Sequence, residues 1–468
     1  MELEQKISDW VDAHERELLA DIARLVAIRS TKGEPTDDAP FGEGPKKALD
    51  EALALCREYG FKTESFGGAV GTADLNDLPT NLDILAHLDV VDEGDGWDTD
   101  PYTCVEKDGC LFGRGTDDDK GPVVMALYAL RCMRELNLPL RANARLILGT
   151  NEEDGSLDLP YYYDDHAPAP NTFTPDSGFP VYNVEKGSYR PVISVDWPAR
   201  KTKPRVSEFE GGFRLNVIPS DASATVTGMT AAMANRLGGP LAEQCGVTLT
   251  VTKLPEGVRL QVHGTQTHAA YPQAGNNGLT ALLYILAGLP LGDCPSSSAI
   301  RRLAAMFPHG DYLGKACGMA QSDDISGELT LAFTMLTLTE TGLTAKLDCR
   351  VPLCANYANC RFPIEERFRR IGFSVDGGMQ RAHHTPADGE FVKTLLACYE
   401  SFTGKKGECL YTGGGTYVHD IEGGVAFGAG MPGFDSHLHG ANERISIADS
   451  LCAVKIFALS VARLCGGE

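Results

Sequence analysis

Two apolar runs of strand length, Asn81 to His87 (NLDILAH) and Ala144 to Thr150 (ARLILGT), flank a segment, Gly121 to Leu136, that reads as a buried helix. Strand, helix, strand in that order is the signature of a sheet with helices on its faces, so the expected fold class is α/β. Sheets of this kind gather their ligands at the carboxyl ends of the strands. That is where this chain puts its histidines and acids: His87 closes the first run, and Asn151-Glu-Glu-Asp154 follows the second.

At 468 residues the chain exceeds what one hydrophobic core usually supports. Residues 3 to 29 carry apolar positions at helical spacing and predict amphipathic helices packed on the body. After Asp176 the character shifts to Lys/Arg/Pro-containing segments (198 to 205), a helix-like run at 279 to 289 and an alternating strand-like run from Leu329. We therefore expect a catalytic domain in two parts, 1–182 and 386–468, interrupted by an inserted domain at 183–385. The second part contains a glycine-rich loop, Gly413-Gly-Gly415.

A formal net charge of -22, with no long Lys/Arg run, disfavours a nucleic-acid partner. The apolar stretches at 123–130 and 279–291 fall short of the roughly 20 residues that span a bilayer, so no membrane partner is expected. The opening MELEQKISDW has early acids and no apolar core of a secretory signal, which predicts a cytoplasmic protein. Fourteen scattered cysteines include no CxxC pair, so reduced thiols are expected and thiolate metal sites are not. A metal here has to sit on histidine and carboxylate.

Five motifs offer such groups. His87-Leu-Asp89 puts an acid two residues beyond a histidine, suited to fixing the tautomer of a metal-binding imidazole. Gly113-Arg-Gly-Thr-Asp-Asp-Asp-Lys-Gly121 places an acidic run in a tight turn before the helix. Asn151-Glu-Glu-Asp-Gly155 sets two glutamates side by side, costly unless one serves a cation and the other shares a proton, which suggests Glu153 as ligand and Glu152 as base. Thr174-Pro-Asp176 and Ser436-His-Leu-His439 complete the set. Each has an ordinary explanation alone, as a surface pair, an acidic helix start, a solvated loop or a turn. Five such explanations in the order His, Asp, Glu, Asp, His are improbable together.

On these residues the sequence resembles the metallopeptidase family that includes carnosinase, aminoacylase and succinyl-diaminopimelate desuccinylase, most closely its bacterial PepV-type dipeptidases. The resemblance spans nearly the whole chain through Ala86-His-Leu-Asp-Val-Val91, Gly96-Trp-Asp-Thr-Asp-Pro-Tyr102, Gly113 to Pro122, Glu152-Glu-Asp-Gly155, Thr174-Pro-Asp176, Asn216-Val-Ile-Pro219, Gly413-Gly-Gly-Thr-Tyr417 and His439-Gly-Ala-Asn-Glu443. It implies a zinc-exopeptidase-like catalytic domain, a mixed β-sheet flanked by helices, with an inserted α+β lid. It implies two Zn²⁺ per chain, with Mn²⁺ or Co²⁺ as substitutes: His87 and Asp176 on one, Glu153 and His439 on the other. The bridging acid of the family pattern lies two residues before Lys-Gly, which selects Asp118 between Asp117 and Asp119. Asp89 then orients His87, and Glu152 is the base.

The resemblance also implies that His268, in Gly264-Thr-Gln-Thr-His268, stabilises the oxyanion, and that Arg350, in Leu347-Asp-Cys-Arg350, clamps the substrate carboxylate. Asn216, Gly414 and Gly415 are implied at the substrate. His419 stands where PepV-type chains are expected to carry arginine, a departure that bears on substrate preference. The long insert resembles a lid of two fused halves, which implies a monomer supplying His268 in cis. The implied reaction is hydrolysis of a dipeptide with a free C-terminal carboxylate by a hydroxide held between the two metals. The competing readings are an N-acyl amino acid amidohydrolase and a catalytically inactive binding protein on the same fold.

Overall fold

The structure, a computed structural model, describes residues 2–467. Its contacts divide the chain into two units: Met1–Val184 with His384–Tyr411 and Gly415–Glu468, and Glu185–His383 with Thr412–Gly414. The short piece at Thr412–Gly414 groups with the second unit because the Lys186 N–H donates to the Thr412 carbonyl and Arg350 donates to that of Gly413.

The first unit opens with helices α1 (Glu2–Ala13), α2 (Glu15–Val26) and α3 (Glu43–Glu58). Their apolar stripes, Ile7, Trp10 and Val11 and then Leu18, Leu19 and Ile22, are buried as the 3.6-residue period requires. The sheet is built from β1 (Lys62–Phe66), β2 (Val70–Asp74), β3 (Thr80–His87), β4 (Asn143–Gly149), β5 (Asn171–Thr174), β6 (Val181–Glu185) and β7 (Val425–Ala426). Its spatial order is β1-β2-β4-β3-β5-β7-β6, completed by two short strands beside β6. The four central strands, β4, β3, β5 and β7, run parallel, and antiparallel pairs flank them, so the sheet is mixed.

Central parallel strands are covered on both faces, which is why Leu82 to His87 are all buried and why that run shows no alternation. The helix between β3 and β4, α4 (Lys120–Glu135), is buried all round from Lys120 to Met133. It packs on α2, on α5 (Ile447–Cys465) and on the sheet. Its first turn needs Gly121, since a Cβ there would run into the Thr116 carbonyl oxygen. Below the strand ends, Phe173, Phe179, Phe427 and Phe457 interlock with ring centroids 5.0 to 6.0 Å apart. Each such pair contributes about 0.5–1.5 kcal/mol beyond its buried area.

Asp83, buried in β3, accepts the Ala169 N–H at 2.8 Å. Burial pushes its carboxyl up to about 6, against the pull of that N–H and of Arg145. The folded state thus holds this proton more tightly than the unfolded chain, so stability falls as pH rises from about 4 through about 6. Asp83→Asn is expected to remove that slope and to stabilise the protein above pH 6 by up to about 3 kcal/mol. Urea unfolding of both proteins at pH 4 and pH 7.5 checks this; equal differences at the two pH values would contradict it.

The second unit is an α+β body around a ten-stranded sheet. The alternating run seen in the sequence is the strand Thr330–Thr339, hairpinned to Gly342–Val351. Helices Ala231–Cys245, Gly278–Gly288 and Pro295–Met306 pack on the sheet. The first two start on side-chain caps, with Thr230 accepting the Met233 N–H and Asn277 those of Leu279 and Thr280. Among the described residues, no helix is long and apolar enough to cross a membrane.

Candidate metal centre

Parallel pairing fixes where the acids meet. β3 runs beside β4 with His87 opposite Gly149, and beside β5 on its other flank, so the three strands end at one edge. From that edge come His87 itself, the Glu152–Glu153 turn two residues beyond Thr150, and Asp176 two residues beyond Thr174. Asp118 enters from the loop just before α4, and His439 from the loop preceding the strand Arg444–Ser446.

The seven unit-one residues expected at the site come together, and Asp118 lies at their centre. Its Oδ1 is 2.8 Å from His87 Nε2 and its Oδ2 is 2.7 Å from His439 Nε2. His439 Nε2 is also 3.2 Å from Glu153 Oε1, and His87 Nε2 is 3.8 Å from Asp176 Oδ2. Donor atoms of Asp118, Glu153 and His439 lie within 4.8 Å of one another, and so do those of His87, Glu152 and Asp176. The neighbours of Asp118 point elsewhere: Asp119 Oδ2 accepts the His87 N–H at 3.1 Å, and Asp117 bonds Ser436.

The electrostatics of the cluster favour cations. Burial and the adjacent Asp176 push the Glu152 carboxyl well up, burial and Asp118 raise Glu153, and the same causes lift Asp176 to about 7. Burial alone would raise Asp118 too, but the imidazoles on either side hold it far below the usual carboxylate range. Burial opposes charge on His439, yet Asp118 and Glu153 raise it to about 11. Carboxylates crowded and buried in this way favour positive charge beside them.

Divalent cations fit this donor set. His87 Nδ1 donates to the Asp89 carbonyl at 3.0 Å, which leaves the lone pair of the neutral ring on Nε2, aimed at Asp118. With the ring proton on Nδ1, His87 Nε2 and Asp118 Oδ1 face each other at 2.8 Å as two buried acceptors, an arrangement that a coordinated ion relieves. The donors are nitrogen and carboxylate oxygen without thiolate, which suits Zn²⁺, Mn²⁺ or Co²⁺.

The model of peptidase family M20/M25/M40 matches residues 84–463. The chain belongs to this family. It is accordingly a metal-dependent peptidase hydrolase. Its similarity to individual M20 proteins runs end to end. The Bacillus subtilis (strain 168) protein YtjP, provisionally named a dipeptidase, is 31% identical over 464 residues, 96% of this chain and 97% of its own. The Beta-Ala-Xaa dipeptidase of Lactobacillus delbrueckii subsp. lactis is 28% identical over 471 residues, covering 100% of both chains. Human carnosine dipeptidase 1 shares the fold with a TM-score of 0.61 at 16% identity, over 99% of this chain and 98% of that one.

Around the M20 cluster, some supports differ in detail from the expected ones. Asp89 reaches His87 Nδ1 with its backbone carbonyl, and its carboxylate stands 3.5 Å away. That carboxylate accepts the N–H groups of Glu152 and Glu153, each at 3.1 Å, so it shapes the turn carrying both glutamates. Two residues to which the sequence reading gave no role hold the same turn from behind. Asp158 accepts the N–H groups of Thr150 and Asn151 and, at 2.5 Å, the hydroxyl of Tyr417, whose ring stands edge-on to His87. Gly149 is the residue that admits them, since a Cβ there would overlap the Tyr417 hydroxyl.

The second unit carries the other expected residues except Gly415. His268 pairs with Val217 beside Asn216, whose carbonyl accepts the Ala269 N–H. His268 Nδ1 accepts the Ala270 N–H at 3.2 Å, which puts the proton of the neutral ring on Nε2. Arg350 is buried, forked onto Asp348 at 2.8 and 2.9 Å, and donates to the Gly413 carbonyl at 2.7 Å. The Gly414 N–H donates to Thr412 Oγ1, and Gly415 falls in the first unit.

Proposed function

We propose that this M20 chain is a dipeptidase that uses two divalent metal ions, zinc in the first instance, held by His87, Asp118, Glu153, Asp176 and His439. The observation that supports it most is the Asp118 carboxylate, one oxygen on each of two histidines, in a chain similar over its full length to a Beta-Ala-Xaa dipeptidase. When bound, such ions supply Lewis acidity, lowering the pKa of water and polarising the scissile carbonyl.

The residues of the chain do the rest. Glu152, a buried carboxyl with raised proton affinity, takes a proton as the water oxygen attacks the carbonyl carbon. It returns that proton to the amide nitrogen as the C–N bond breaks, leaving a free amine and a carboxylate. For the second-unit residues the proposal is one of chemistry. His268, protonated on Nε2, donates to the oxyanion of the tetrahedral intermediate. Arg350 commits three of its five N–H groups to Asp348 and Gly413, which stiffens the fork that receives the substrate's terminal carboxylate. Asn216, Gly414 and Gly415 line the same end of the substrate.

Metal-reconstituted protein assayed against dipeptides and against N-acetyl and N-succinyl amino acids tests this reading. Dipeptides are expected to be cleaved with kcat/KM at least about tenfold above any acylated amino acid, a preference of about 1.4 kcal/mol. Preference for acylated amino acids would replace the reading with a deacylase, and two bound metals without hydrolysis of either class would replace it with a binding protein.

A further inference from the structure

His439 and Asp118 stand on loops with no regular structure, and the His439 loop is under strain. His437, His439 and Asn442 adopt left-handed backbone with φ of 57°, 58° and 60°, which non-glycine residues keep only where their surroundings over-determine them. Part of those surroundings is one buried ion pair. Glu443 is wholly buried and Arg114 nearly so, with Arg114 Nη1 donating to Glu443 Oε2 at 2.6 Å. Glu443 belongs to the His439 loop, yet its Oε1 accepts the N–H groups of Gly115, Asp117 and Asp118, at 3.0, 2.9 and 3.2 Å. Arg114 belongs to the Asp118 loop, yet its Nη2 donates to the carbonyl of Gly440, next to His439, at 3.1 Å. Each charged side chain grips the backbone of the other's loop, and the Gly113 N–H to the Glu443 carbonyl closes the clasp.

The remaining ligand positions are anchored differently. His87, Glu153 and Asp176 hang from the ends of three hydrogen-bonded parallel strands. We propose that the Arg114–Glu443 clasp is a positioning device chiefly for one of the two metal sites, the Asp118–Glu153–His439 site, two of whose ligands stand on the clasped loops, whereas the strand-borne His87–Asp176 site shares only Asp118 with them. This rests on the ligand assignment proposed above. Groups that orient metal ligands typically account for 10- to 100-fold in affinity, so breaking the clasp should separate two affinities that a general loss of structure would lower together.

The test uses full-length protein stripped of metal with a chelator and titrated with Zn²⁺, with bound metal counted by mass spectrometry and the two dissociation constants obtained by chelator competition. Glu443→Gln keeps an oxygen for the three N–H groups but turns an amide NH₂ onto Arg114. Arg114→Lys keeps the charge but cannot serve Glu443 and Gly440 at once. Both variants are expected to bind one Zn²⁺ within a few-fold of the parent and the second 10- to 100-fold more weakly, with kcat restored at high Zn²⁺. Two parental dissociation constants, or equal weakening of both sites, overturns the clasp as a positioning device. If Glu443→Gln does not fold, Arg114→Lys decides by the same criteria. His439→Ala separates the two layers of argument: loss of one Zn²⁺ upholds the ligand assignment whatever the clasp variants do, and retention of both removes that assignment and the clasp with it.

Discussion

Replacing Glu152 by alanine is expected to lower kcat by up to about 10⁴-fold while the protein still binds two divalent ions per chain. The Glu152 carboxyl sits among buried acids, where desolvation and Asp176 raise its proton affinity, so it can hold a proton between attack and bond cleavage. The parent's other groups would remain: Asp89 would still accept the N–H groups of residues 152 and 153, because those are backbone bonds, and Asp158 would still hold the strand end behind them. The turn should therefore keep its course and present Glu153 unchanged. Glu152 also lies within 4.8 Å of donor atoms of His87 and Asp176, so the count of bound metal is as informative as the rate. A variant that loses one ion has lost a ligand, and the role of base would pass to another group. Near-parental turnover would remove the base assignment outright.

How much of this was legible in the sequence depends on the distance between partners. The run NLDILAH shows a covered parallel strand because six successive side chains from Leu82 are buried, and its end marks the site edge because neighbouring strands run the same way. The choice of Asp118 among three successive aspartates came from the family resemblance and not from periodicity, since all three are buried or nearly so and only the backbone course turns one toward both histidines. The expectation that the Asp89 carboxylate orients His87 followed from closeness in sequence. Its actual partners, the N–H groups of Glu152 and Glu153, lie more than sixty residues away, beyond any periodicity. Arg114 and Glu443 both stood inside recognised motifs, but their pairing across 329 residues leaves no local trace. The fork of Arg350 onto Asp348 is the opposite case. Residues two apart in a strand share a face, so that contact was available to the sequence and went unread.

Asp118→Asn is expected to abolish binding of both ions at metal concentrations that saturate the parent, and with it all turnover above that of the metal-stripped protein. The argument is geometric and electrostatic. Asparagine matches aspartate in shape, but only one of its two terminal atoms can donate a lone pair, and the other presents N–H groups to whichever histidine it faces. The carboxylate between His87 and His439 is also the acid whose ionisation the cluster favours most, held low by both rings while its neighbours are pushed up. Its loss leaves Glu153 and Asp176, whose proton affinities are raised, to bind cations each without its shared partner. Taken with the other variants this gives a graded series of two, one and no ions retained, for Glu152→Ala, Glu443→Gln and Asp118→Asn. Metal counts after equilibration with Zn²⁺ check the last step. An Asp118→Asn protein that keeps one tightly bound ion would mean that the carboxylate serves a single site, and one that keeps two would mean that it serves neither.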